Sequence, residues 1–116
     1  MYNLVFHPTL AVRWQKFSAL QRIFMIGNEL NRALNARRGN DFENVKNALE
    51  RAFELIDLTV QWSRSNQQKE LLRLREVLAD FYQTPDHFSE SELKQICRTL
   101  LSFNAEAFDT LAEQYA

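Results

Sequence analysis

Two glycines, two prolines, two histidines and one cysteine are all that this 116-residue chain holds of the residue types that build tight turns, metal sites and disulfides. Each scarcity excludes something. The lone Cys97 has no partner for an internal disulfide, which points to a reducing, cytoplasmic setting and gives it the role of a small apolar packing residue. His7 and His87 lie near loop prolines, with no second histidine, cysteine or serine in a recognisable motif, so the sequence calls for no metal and no cofactor. A Gly-rich phosphate loop, a Walker lysine, a Gly-x-Ser-x-Gly elbow and a His-Glu-x-x-His pair are all missing, and with them the common routes to an enzyme. No apolar run approaches the roughly 18 residues needed to span a bilayer, and Met1 to Ala11 lacks the basic start and long apolar stretch of a secretion signal. Excess charge is absent too. With 14 basic and 15 acidic residues, the field of the whole molecule gives no reason to expect nucleic acid or an anionic membrane.

What remains is apolar and periodic. Hydrophobic residues make up 46% of the chain, enough for one domain over 1–116 to hold a core without staples. Pro8, Gly39 and Pro85 fall where a helical reading needs breaks. They predict an extended N-terminal arm over 1–8 and helices over about 9–37, 41–63, 67–83 and 89–115. Thr9 is the expected cap of the first helix, and Gly39 its left-handed terminator. Gly27, costing about 1 kcal/mol relative to alanine, is expected where another helix crosses closely. In the second helix Asn40 and Glu43 read as a capping box, and Phe42, Val45, Leu49, Ala52, Ile56 and Thr59 form one seam. The third helix carries Leu71, Leu74, Leu78 and Phe81. The fourth opens on Ser89 with Glu92 and uses Leu93, Ile96, Leu100, Phe103, Ala107 and Leu111, kinked or split near Asn104. Short loops make sequential helices antiparallel neighbours, so the fold class is all-α, an up-down-up-down four-helix bundle.

Two arginines interrupt apolar faces and are the candidate ligand-binding residues. Arg13 shares a face with Leu10, Phe17 and Leu20, and Arg75 lies beside Leu71, Leu78 and Tyr82. A cation near a core needs a partner, and Glu29, Glu54 and Asp57 on other helices are the available acids. Each arginine reads most simply as snorkelling, its aliphatic stem on the apolar surface and its guanidinium in water; a structural ion pair with one of these acids is a second reading, and in a third Arg13, Arg75, Glu54 and Asp57, with Asn31 contributing hydrogen bonds, line a polar pocket for an anionic ligand. Glu50, Glu54 and Asp57 otherwise read as a solvated face. Arg32, Arg37 and Arg38 suit a helix C-terminus, where the macrodipole favours cations.

Two short strings, Arg13-Trp14-Gln15-Lys16-Phe17 and Arg51-Ala52-Phe53-Glu54-Leu55, resemble the helical partner subunits of minimal nucleotidyltransferases, within the HEPN group. The likeness covers about half the chain. It implies a helical bundle that often dimerises. Many HEPN ribonucleases carry an arginine followed at a short interval by a histidine, and nothing after Arg73, Arg75 or Arg98 meets that spacing. Ribonuclease activity is therefore not carried over. The expected function is a non-enzymatic bundle that works by association with itself or another protein, through an apolar patch of Tyr2, Leu4, Phe6, Trp14 and Phe17 on the arm and first helix. The alternative is a small-ligand or nucleotide-associated bundle using the arginine and acid pocket.

Overall fold

The computed structural model describes residues 13–61 and 65–102, and within them the chain is all-helical, with no strand. A 3-10 turn, Trp14–Lys16, is followed by four α-helices: α1 (Ala19–Arg38), α2 (Phe42–Gln61), α3 (Ser65–Gln83) and α4 (Glu90–Ser102). The arm with Tyr2, Leu4 and Phe6 and the region around Asn104 lie outside the described residues.

The first helix is where expectation and structure part. Periodicity through Phe17 predicts one helix from Thr9, but Phe17 is extended at φ −78° and ψ 143°, and Ser18 opens a new helix. The Gln21 N–H donates to Ser18 Oγ at 3.1 Å, and the Ser18 N–H donates back to Gln21 Oε1 at 2.8 Å. This reciprocal box satisfies two donors that a helix start leaves orphaned. Arg13 therefore sits on a separate turn rather than on the face of α1.

The turn between α1 and α2 also departs in detail. Gly39 keeps φ at −87°, and Asn40 takes the left-handed position with φ 54°. The Asn40 N–H bonds Arg37 O at 3.1 Å and the Asp41 N–H bonds Ala36 O at 2.9 Å, the paired closure of a Schellman motif. Asparagine tolerates this conformation, and its Oδ1 accepts from Arg37 Nη1 at 3.1 Å. Asp41, not Asn40, then caps α2: its Oδ1 accepts from the Asn44 N–H at 3.3 Å. At the third junction Ser89 caps α4 as its position predicts, accepting the Glu92 N–H at 3.2 Å.

Packing follows the seams. α1 lies against α2, α2 against α3, and α4 rests mainly on α1. The core joins Ile26, Leu30 and Leu34 of α1 to Val45, Leu49, Ala52 and Ile56 of α2, with Leu78, Leu93 and Leu100 from the later helices. Trp14 is fully buried in it at 0% exposure. Its indole N–H donates to Thr59 Oγ1 at 3.2 Å, and its carbonyl accepts from the Phe17 N–H at 3.1 Å and Arg22 Nε at 3.1 Å. The short 3-10 turn is thus pinned from α1 and α2 at once. No described helix crosses closely at Gly27: a Cβ added there would meet nothing within 4 Å among the described residues.

Candidate functional site

Charged residues on the helix flanks find partners across the seams. Glu29 on α1 is buried and holds two arginines, Arg32 one turn on and Arg51 of α2, whose Nε lies 2.7 Å from Glu29 Oε2. Between α2 and α3, Asp57 accepts a fork from Arg75, Nε at 2.8 Å and Nη2 at 3.2 Å. Seven residues earlier on α2, Glu50 accepts from Tyr82 Oη at 2.5 Å. This hydrogen bond, with burial and the Glu50 charge, pushes the Tyr82 hydroxyl above its ordinary value. Phe53 fills the space between the two pairs, 5.0 Å from the Arg75 guanidinium and edge-on to Tyr82 at 5.9 Å. Glu50 and Asp57 are therefore not a solvated acidic face. Glu54, expected beside them, is buried at 7% exposure and engaged.

Of the sequence-predicted ligand residues, the structure brings together Arg75 and Asp57. Arg13 stands over the Phe17 ring at 5.9 Å, and Asn31 is exposed on α1. Of the expected interface residues, Trp14 cannot serve a surface patch because its ring is spent on the chain's own core, and Phe17 is half-buried against it. Arg22 escaped sequence reasoning altogether. It is buried behind Trp14, and burial pulls its guanidinium below the usual arginine value.

Arg37 acts as a clamp rather than only a dipole partner. Its Nε donates to Phe88 O at 3.1 Å and its Nη2 to Asp86 O at 3.3 Å, tying the end of α1 to the loop before α4. Arg38 adds an exposed pair with Glu90 at 2.9 Å. Phe81 and Phe88 stack at 4.5 Å beside this clamp, closing one end of the space between α3 and α4.

Away from that stack, two concavities flank α4. One, about 280 Å³, lies between α3 and α4, with apolar lining from Leu74, Val77 and Ile96 and polar lining from Glu70, Arg73 and Thr99. Val77 is 42% exposed there, one of two large aliphatic side chains left open among the described residues, the other being Leu72. A second, about 200 Å³, lies between α1 and α4, where Ile23, Phe24 and Leu100 meet bare backbone at Gly27 with Asn28, Asn31 and Cys97 alongside. Burial pushes the Cys97 thiol up, so it stays protonated at neutral pH.

Among the described residues, no group of three or more His, Cys, Asp or Glu side chains is placed to hold a metal ion. No helix there is long and apolar enough to cross a membrane. No protein-family model matches the chain, and neither the curated proteins nor the solved structures give a match to it.

Proposed function

We propose that this chain works by protein association, as a homodimer closed over the groove between α3 and α4. The observation that carries the reading is the pattern around Val77. Arg73 precedes it by one helical turn and Asp80 follows it by one, both exposed, while the apolar lining of Leu74 and Ile96 lies alongside. If two copies meet with α3 antiparallel about a two-fold axis near Val77, Arg73 of each faces Asp80 of the other and the two valines meet at the axis. An isologous contact needs such self-complementarity. Glu70, now 3.2 Å from Arg73 in an exposed pair, is readily exchanged for that partner because such pairs contribute little.

This reading keeps the antiparallel up-down-up-down arrangement for the bundle itself. The opposite order of the pairs Glu50 with Tyr82 and Asp57 with Arg75 along α2 and α3 supports it. This reading puts the interface on the third helix because Trp14 of the expected first-helix patch is buried, while Tyr2, Leu4 and Phe6 lie outside the described residues. The anionic-ligand alternative is less favoured, since a ligand at Arg75 would have to compete with the carboxylate of Asp57 for the same fork.

Sedimentation equilibrium of the full chain at tens of micromolar tests the proposal. A dimer is expected, lost in Val77→Glu, weakened in Arg73→Asp and in Asp80→Arg, and recovered when those two charge changes are combined. A monomer in the wild type, or a dimer indifferent to Val77→Glu, overturns it.

A further inference from the structure

We infer that the concavity between α1 and α4 is a binding site for a small neutral molecule that joins a flat apolar body to a carboxamide-like polar group. Gly27 leads to it. A glycine inside a helix is destabilising, and among the described residues neither of the usual reasons applies: its φ is not in the left-handed range, and an added Cβ would meet nothing within 4 Å. The bare backbone instead lines an open space of about 200 Å³ that any larger side chain would narrow. Ile23, Phe24 and Leu100 supply apolar lining suited to a ring. Asn28 and Asn31 stand one helical turn apart beside it, exposed, with no side-chain hydrogen bond among the described residues. Each amide offers both donors and an acceptor, the complement of a group that itself has both. Among the described residues no ionised side chain lines the space, which disfavours phosphates, carboxylates and ammonium groups. The Cys97 thiol, kept protonated by burial, adds no charge. The site is independent of the dimer proposed at the α3 and α4 groove, and it is read in the same way from monomer or dimer.

The test is a titration of the full chain with benzamide, followed by backbone amide NMR shifts, with toluene and benzoate as comparison probes. Saturable shifts at Gly27, Asn28, Asn31 and Cys97 are expected with benzamide in the millimolar range for so small a probe, and toluene and benzoate should bind several-fold more weakly. Gly27→Leu, which fills the space from the helix side, should abolish the shifts. Gly27→Ala provides a smaller filling in case the leucine variant does not fold, and should weaken binding several-fold with the helical circular dichroism unchanged. Absence of saturation in the wild type, binding by toluene or benzoate as tight as by benzamide, or affinity unchanged in Gly27→Ala would overturn the inference.

Discussion

Thr59→Val removes the hydrogen bond that docks the 3-10 turn on α2. The side chains are nearly the same shape, so packing is retained while Trp14 Nε1, 3.2 Å from Thr59 Oγ1, loses its acceptor. Trp14 is 0% exposed and Thr59 5% exposed, so water has no route to replace it. An indole N–H left unpaired in such a place costs about 1–3 kcal/mol. The Thr59 hydroxyl also donates to Leu55 O at 2.7 Å, a bond that removal leaves as an ordinary helical carbonyl. For a chain of this size the loss should lower Tm by roughly 4 °C per kcal/mol. The assay is urea unfolding by circular dichroism in a double-mutant cycle with Trp14→Phe, which removes the donor. Thr59→Val should be costly with tryptophan present and within about 0.5 kcal/mol of neutral once phenylalanine replaces it. Equal costs in the two backgrounds would refute the reasoning, because the penalty would then belong to Thr59 alone. So would a neutral Thr59→Val in the wild type.

Three further outcomes follow from the same geometry. Gly27→Ala should stabilise the protein by about 0.4–1 kcal/mol, since the new methyl meets no atom of the described residues within 4 Å and the unfolded chain loses freedom; a loss of stability on urea unfolding would mean the space is not open. Glu29→Ala should cost about 2–4 kcal/mol by removing the buried carboxylate that Arg32 and Arg51 share, whereas Arg32→Ala should cost less than about 1 kcal/mol, because the Glu29 side chain is 5% exposed and that of Arg32 62%; equal costs would refute this ranking. The raised Tyr82 hydroxyl makes a stabilising contribution that is fully present below its unfolded value near 10.0 and is lost as pH rises through the higher folded value. The stability difference between wild type and Tyr82→Phe should therefore hold steady at neutral pH and shrink in strongly alkaline buffer, and a difference that grows there would contradict the Glu50 bond.

The breaks around Gly39 and Ser89 were legible because each carries its own chemistry. Gly39, Asn40 and Asp41 end one helix and begin the next, and Ser89 with Glu92 starts the last. Ser18 with Gln21 obeys the same rule at the start of α1, yet the apolar spacing of Phe17, Leu20 and Phe24 runs straight across it and suggests continuity. A capping pair inside a periodic run is the better guide, since it satisfies specific backbone donors whereas periodicity records only which way side chains face. Trp14 was misplaced for the same reason: carried on a long helix it would sit near a projecting end, but after a break at Ser18 the turn folds back and the indole reaches Thr59.

The half-buried charges between α2 and α3 show where one-dimensional periodicity stops. It gives the face of a helix but not which neighbour covers each flank, and so Glu50 and Asp57 read as solvated although Tyr82 and Arg75 lie over them. A usable signal was nevertheless present. Two acceptors stand seven residues apart on α2 and two donors seven apart on α3, and heptad spacing keeps both members of each set on one stripe. Antiparallel helices bring such stripes together in reverse order, first acid to last donor, which is the order found. Read as a pair, the two stripes specify the register of α2 on α3. They also explain why Arg75 intrudes on an apolar face: its fork belongs to Asp57 and its flat surface to Phe53, so the cation is part of the seam that joins these helices.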